Sequence, residues 1–379
     1  MPELIVKPVL TQREKEQFLA LPQKLYRNDP NWVMPEPSTV RSLVGYQHHP
    51  YYDDAEAQTF LALCGSQVCG RVAAIINHAH NRRYNERCCF FGFFECVDDQ
   101  QVASSLLDAA RAWVVARKMQ VMRGPTNPSM NYGCGLLIDG FDSPPTVGTT
   151  YNPAYYARLI DRAGFHKVQD MYAYQGHIDM LDTMDPKLEF VVNEARRRYR
   201  VNVRPISMSR FEEEARMVLE LHNQSLGNIW GFVPLSDSEM RHRAAAMRRM
   251  IFSDLTSVAE VDGQVVGVVH GLVDCYIRNR RNTKKPLPSG YPRILPSDCA
   301  TRRMRIIRIS VRPDYVCWGL GLVLLERLIP GARARGIEEA EFSRVMETNR
   351  IAMATLQRAG AIRTKTYRIY DGRVDTIVS

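Results

Sequence analysis

The chain repeats its own punctuation, and this constrains its fold more than any single motif. IVKPVLTQREKEQF (residues 5–18) and VNVRPISMSRFEEEA (201–215) both read as strand, break and helix, with Pro8 and Pro205 separated by 197 positions. FLALCGSQVCGRVAAII and SVAEVDGQVVGVVHGLV both read as strand, tight turn and strand, and Gly70 and Gly267 are again 197 apart. YNPAYYARLIDRAGF resembles TNRIAMATLQRAGA, with Asn152 and Asn349 at the same spacing and Gly164 and Gly360 at 196. Each half closes on an aromatic strand, MYAYQGHI and TYRIYDGRV. Any one match is common, but four in order at one spacing indicate a duplication. The sequence therefore predicts two β-rich α/β units, 1–180 and 181–379, joined by a helix over PKLEFVVNEARRRYR (186–200).

Length and charge agree with two soluble units. At 379 residues the chain exceeds one ordinary core, and no apolar run approaches the ~18 residues of a membrane span. The N-terminal stretch has no basic region followed by an apolar one, and the nine cysteines form no CxxC pair, so reduced thiols in a cytoplasm are expected. Most of the net charge of +9 sits in one place: residues 276–305 hold nine Arg and Lys against Asp298 alone. Its prolines suit a solvated insertion loop, and its charge suits a surface for anionic partners. The first half has its own insertion, between Gly124 and Pro145.

RIIRISVRPDYVCWGLGLVLLER (305–327) predicts a β-branched strand, a Pro-Asp break, a Gly-x-Gly turn and a Leu-rich helix. A glycine turn opening onto a helix leaves several N–H groups converging on one spot, which suits a phosphate or pyrophosphate. The counterpart in the first half, ECVDDQQVASSLLDAARAW, lacks the glycines and begins its helix with Asp98 and Asp99, which repel a pyrophosphate. Period-2 alternation in IEEAEFSRVMETNR places Glu339, Glu341 and Ser343 on one strand face, with Glu347 and Asn349 just beyond. Asn77, His78, Ala79, His80 and Asn81, read as strand, offer two histidines on one face without a third ligand at sensible spacing, so no metal is expected.

The element order, with Val311-Arg312-Pro313 and Gly319-Leu320-Gly321 at the fourth strand and following helix, resembles the GNAT (N-acetyltransferase) superfamily. The resemblance implies two tandem GNAT-like units, each a mixed, mostly antiparallel twisted sheet flanked by helices, the first degenerate and without a pyrophosphate loop. It implies acyl-coenzyme A as co-substrate, held by Ile309, Ser310, Val311, Trp318, Gly319, Leu320, Gly321 and Asn349. Val316 stands where the family has Arg or Gln. Glu341 and Glu347 are the candidate bases. Gln357 occupies the position of the family's proton-donating tyrosine, which Tyr367 would replace. Asn228, Trp230 and Phe232, before a helix capped at Asp237 or Ser238, would line the acceptor site.

These features predict an N-acyltransferase acting on a small-molecule or lipid amine. The chain also resembles a bacterial group some of whose members are associated with ceramide synthesis, in which a long acyl chain is placed on a sphingoid amine. In that case 276–305 would face an anionic membrane surface from the cytoplasm. Two rivals stay open: a Fem-type aminoacyl transferase using tRNA, with the basic insertion on RNA, and a non-catalytic module that binds acyl-coenzyme A or nucleic acid.

Overall fold

The computed structural model describes residues 3–182, 185–248, 250–274 and 301–374. The basic insertion expected at 276–305 therefore lies outside the described residues up to position 300. In chain order, the first half runs β1 (Leu4–Pro8), α1 (Gln12–Leu25), α2 (Pro37–Leu43), β2 (Ala55–Cys64), β3 (Gln67–Asn77), α3 (His78–Tyr84), β4 (Cys88–Cys96) and α4 (Gln100–Val115). It continues through β5 (Val121–Gly124), the short β6 (Thr126–Asn127), β7 (Gly133–Cys134) and β8 (Leu136–Asp139), then α5 (Tyr155–Arg162) and β9 (His166–His177). The second half holds α6 (Pro186–Tyr199), β10 (Asn202–Pro205), α7 (Phe211–Ser225), α8 (Asp237–Met247), β11 (Thr256–Val261), β12 (Gln264–Val273) and β13 (Arg303–Val311). It ends with α9 (Leu320–Glu326), α10 (Ile329–Ala334), β14 (Glu339–Met346), α11 (Arg350–Arg358) and β15 (Ile362–Arg373).

The repeat is reproduced residue by residue. Ala62 pairs with Gly70 in the first hairpin and Ala259 with Gly267 in the second, and each register then shifts by a bulge. The two glycines have one cause. A Cβ on Gly70 would meet Leu106 of α4 at 2.5 Å, and one on Gly267 would meet Leu324 of α9 at 2.9 Å, so each leaves room for the helix that crosses the sheet. The closing strands β9 and β15 share one twelve-residue pattern of burial.

The chain forms two compact units that differ from the two sequence halves. Among the described residues the first comprises 3–170 and 365–374, and the second comprises the remainder from 171 to 364. In the first unit the sheet order is β1-β2-β3-β4-β5 followed by the C-terminal part of β15, which pairs antiparallel with β5 from Tyr370↔Gly124 to Arg373↔Val121. In the second unit the order is the end of β9, then β14-β13-β12-β11-β10, with Glu339↔His177 and Met346↔Met171 paired antiparallel. The last strand of each sequence half thus completes the sheet of the other unit, where boundaries at 180 and 181 were expected. Among the pairings described above, β4–β5 and β13–β14 are parallel and the others antiparallel, as expected for the fold class.

Each unit buries apolar side chains on both faces of its sheet. In the first, α4 and α5 cover one face and α1 and α2 the other. In the second, α6, α9, α10 and α11 cover one face, and α7 and α8 the other. Helix starts are set locally: Thr11 and Glu14 form a capping box on α1, and Ser236 with Glu239 forms one on α8. The α8 cap is therefore Ser236, where Asp237 or Ser238 was expected, because Ser236 has a glutamate three positions on. Of residues 77–81, read as strand, Asn77 ends β3, and the rest belong to the helix at 78–84 because Asn77 caps it, its side chain accepting the His80 N–H at 2.9 Å.

Candidate active site

The second unit contains a gap in its sheet. β13 pairs with β14 only from Arg303↔Glu339 to Ile306↔Phe342, yet β13 continues on β12 as far as Gly267↔Val311. Beyond Phe342, β14 is bonded to β9 through Val345↔Tyr172 and Met346↔Met171. The two parallel strands therefore part, and Ile309, a large aliphatic residue mid-strand, is 41% exposed. Ser310 and Val311 are buried. Every second N–H of this stretch points away from β12 and into the gap.

The glycine turn lies against the same stretch. Residues Pro313–Trp318 form a 3-10 turn, and Gly319 (φ 72°) opens α9. Gly319 is needed for more than a ligand: besides its left-handed backbone, a Cβ there would meet Val191 of α6 at 2.4 Å. A Cβ on Gly321 would lie 3.2 Å from Ile309 Cγ2, so Gly321 faces the open part of β13. Leu320 is buried in the core and offers only backbone to a ligand. The first bonds of α9 run from the Leu322 and Val323 N–H groups to the Gly319 carbonyl, at 2.9 and 3.2 Å, leaving Leu320 and Gly321 ahead of the ladder. α9 itself has only seven residues.

The candidate bases have different surroundings. Glu341 is 4% exposed and accepts a 2.6 Å hydrogen bond from Ser343 Oγ, which in turn accepts one from Arg305 Nε at 2.8 Å. Period-2 alternation put Glu341 and Ser343 on one face, and their contact shows it. Glu347 lies in the turn after β14 and is half-buried. Asn349 caps α11, its side chain accepting the Ala352 N–H at 3.1 Å. Tyr367 belongs to the first unit, where it is fully buried opposite Leu137 of β8. Of the acceptor-loop residues, Asn228 is exposed, Trp230 half-buried and Phe232 buried with its ring edge-on to His222 at 5.5 Å. Asn223 pins this loop by exchanging two hydrogen bonds with the Leu235 backbone, both 2.9 Å.

The equivalent gap in the first unit is filled by the chain itself. β4 pairs with β5 only from Cys88↔Val121 to Phe90↔Arg123, and the insertion then returns as β6 against β4. The Phe93 N–H donates to Asn127 Oδ1 at 2.5 Å, and a Cβ on Gly92 would lie 1.7 Å from the Thr126 carbonyl oxygen.

Sequence reasoning missed two buried polar groups. In the first unit Glu95 accepts hydrogen bonds from Tyr26 (2.7 Å) and Tyr156 (2.8 Å) and faces Arg71 at 3.6 Å. Burial raises the Glu95 pKa, opposed by the Arg71 charge. In the second unit Arg308 donates from Nε to His222 Nδ1 at 3.3 Å and lies across from His270. Burial first, then the charge of Arg243, pushes Arg308 down to about 9; burial, then Arg308, pushes His270 down to about 3. The signal was a polar or charged residue within an apolar strand run: Arg71 in CGRVAAII and Glu95 in FFGFFE, His270 in VVHGLV and Arg308 in RIIRISV. His80, Glu86 and Cys88 also gather their ligand atoms within 4.8 Å, but the Arg123 guanidinium bonds Glu86 at 3.3 Å and opposes a cation there.

The chain matches the Acetyltransferase (GNAT) family over residues 216–361, the core of the second unit. It is 30% identical over 383 residues to a bacterial ceramide synthase of Caulobacter vibrioides (strain NA1000 / CB15N), covering 97% of each protein. It is 29% identical over 376 residues to Protein YghO of Escherichia coli (strain K12), covering 98% of this chain and 95% of that one. Among solved structures, a tandem GNAT protein from the clavulanic acid biosynthesis pathway superposes with a TM-score of 0.56 at 12% identity, covering 98% of this chain and 99% of that one. A GCN5-related N-acetyltransferase from Sphaerobacter thermophilus gives 0.53 at 13%, covering 98% and 96%. The chain belongs to the GNAT acyltransferases. Within them it is a tandem GNAT protein and an N-acyltransferase.

Proposed function

We propose that the second unit transfers an acyl group, long-chain in preference, from acyl-coenzyme A to a primary amine such as a sphingoid base. The observation that carries this is the parting of β13 from β14 beyond Ile306, which leaves strand N–H groups facing an open slot. A thioester carbonyl lying in that slot would be polarised by those donors as negative charge develops on its oxygen. The turn at Gly319, Leu320 and Gly321 would hold the pyrophosphate through backbone N–H groups, with Asn349 supporting the neighbouring helix start.

The amine nitrogen bonds to the carbonyl carbon, the carbon–sulfur bond breaks, the ammonium proton passes to a base, and the departing thiolate takes up a proton. An alkylamine with a pKa near ~10 is mostly protonated at neutral pH, so the base is required. Glu347 is proposed for it, because it lies half-buried in the turn beyond β14, where a substrate can reach it, whereas Glu341 is buried within the strand. Asn228, Trp230 and Phe232 would line the acceptor. The likeness to a protein named bacterial ceramide synthase supports the long-chain donor and the sphingoid amine. In this reading the first unit binds no acyl-coenzyme A, its gap being occupied by Asn127. No helix among the described residues is long and apolar enough to cross a membrane, and contact with an anionic membrane on the cytoplasmic side through 276–305 is part of the proposal.

Thermal unfolding with palmitoyl- and acetyl-coenzyme A tests the donor. Stronger stabilisation by the palmitoyl form is expected at equal concentration. A shift with acetyl-coenzyme A alone would restrict the enzyme to short donors, and no shift with either would refute acyl-coenzyme A as donor.

A further inference from the structure

Several side chains of the second unit converge on the α7/α8 face of its sheet with unused polar atoms. Thr256, His270 and Arg308 stand directly across from one another on β11, β12 and β13, and Ser310 shares the face of Arg308 two residues on. His222 reaches them from α7. Thr256, His270 and Ser310 are each 1% exposed and Arg308 is 8% exposed. Among the described residues, Arg308 Nη1, both ring nitrogens of His270, His222 Nε2, Ser310 Oγ and Thr256 Oγ1 are buried without a partner.

Native interiors rarely leave so many donors unused, since each costs about 1–3 kcal/mol, and a buried cation without a counter-ion costs more. The charged side chain that acts on both Arg308 and His222 is Arg243, of the same sign. The first unit carries an acid in this layer. There the cross-strand pair is Arg71 and Glu95, cation facing carboxylate; at the corresponding pair of the second unit stand Val268 and Ser310. Among the described residues, the second unit has its arginine of this layer at Arg308 instead, and Ser310 stands where the first unit has its acid.

We infer that Arg308, His222, His270, Ser310 and Thr256 form an anion subsite that takes a carboxylate or phosphate group carried by the acceptor amine. The subsite adjoins the acceptor loop, because His222 packs edge-on against Phe232. It lies on the sheet face opposite to that on which Ile309 meets Gly321, so an anion held there is not the donor's pyrophosphate. The inference rests on N-acyl transfer by this unit and narrows its acceptors to anionic amines, such as the phosphate ester of a sphingoid base in place of the free base.

The test compares three acceptors of equal chain length with palmitoyl-coenzyme A: an amino alcohol, its phosphate ester and a 2-amino fatty acid. The wild type should favour one of the two anionic amines by about tenfold or more in kcat/KM, and the favoured one identifies phosphate or carboxylate as the source. Arg308→Gln should abolish that preference by raising the KM of the anionic amine, with the KM of palmitoyl-coenzyme A unchanged. On the wild-type enzyme, inorganic phosphate or acetate should inhibit competitively with the amine, a measurement that does not depend on the variant folding. Equal use of neutral and anionic amines, or competition with palmitoyl-coenzyme A alone, would overturn the subsite. If no amine is acylated, N-acyl transfer fails separately, and thermal stabilisation by phosphate or acetate then decides. Stabilisation of the wild type by either keeps the subsite, and none removes it.

Discussion

Asn127 reaches back to β4 and accepts the Phe93 N–H at 2.5 Å, in the position where the second unit is open. One hydrogen bond thus distinguishes two copies of one fold. Asn127→Ala should destabilise the protein by about 1–3 kcal/mol, the usual penalty for a donor left unpaired, while the transfer rate stays unchanged. Urea denaturation and initial rates check this. A folded variant without activity would place the chemistry in the first unit.

Gly321 faces Ile309, so a side chain there points at the exposed end of β13. Gly321→Glu should lower kcat/KM by about a hundredfold, equivalent to about 3 kcal/mol, by setting a carboxylate against the pyrophosphate. Gly321→Ala should cost far less, because Ile309 Cγ2 has only to give by a few tenths of an ångström. Steady-state kinetics against palmitoyl-coenzyme A separate the two. Equal losses would mean that sterics alone act.

The two glutamates of the β14 region should respond differently. Glu347→Gln should lower kcat by about 10²-fold, as for loss of a general base. Glu341→Gln should chiefly lower stability, because Ser343 and Arg305 lose their anionic partner. Denaturation midpoints and kcat for both variants form the check. A Glu341 variant that is stable but inactive would reverse the assignment.

His270 is held down to about 3 by burial and by Arg308, against an unfolded value near ~6.5. Below that value the unfolded chain takes up a proton that the folded chain refuses. Stability is therefore fully present above about pH 6.5 and falls as pH drops toward 3, with a limiting slope near 1.4 kcal/mol per pH unit. His222 is lowered for the same reasons and acts in the same direction. Urea midpoints between pH 7 and 5 should fall more steeply in the wild type than in His270→Asn. Parallel profiles would show that His270 does not titrate in this way.

Much of the fold could be read from the chain because its punctuation is local: the hairpin at Gly267, the strand and glycine turn from Arg305 to Gly321, and the helix at 186–200 each depend on nearby residues. The exchange of closing strands could not be read. β9 and β15 carry the same burial pattern, so their alternation fits either sheet and only long-range pairing selects between them. Asn349 was placed correctly after β14, but its side chain is used as a helix cap. Arg308 and His270 were hidden inside strands that read as apolar. Their proximity arises only when β12 and β13 pair.

The most direct measurement is mass spectrometry of products after incubation with palmitoyl-coenzyme A and a panel of primary amines, sphinganine among them. The wild type should yield an N-acylated amine and free coenzyme A in equal amounts, and Gly321→Glu about a hundredfold less of both. No acylated amine with any donor, or undiminished product from Gly321→Glu, would contradict acyl transfer in the gap between β13 and β14.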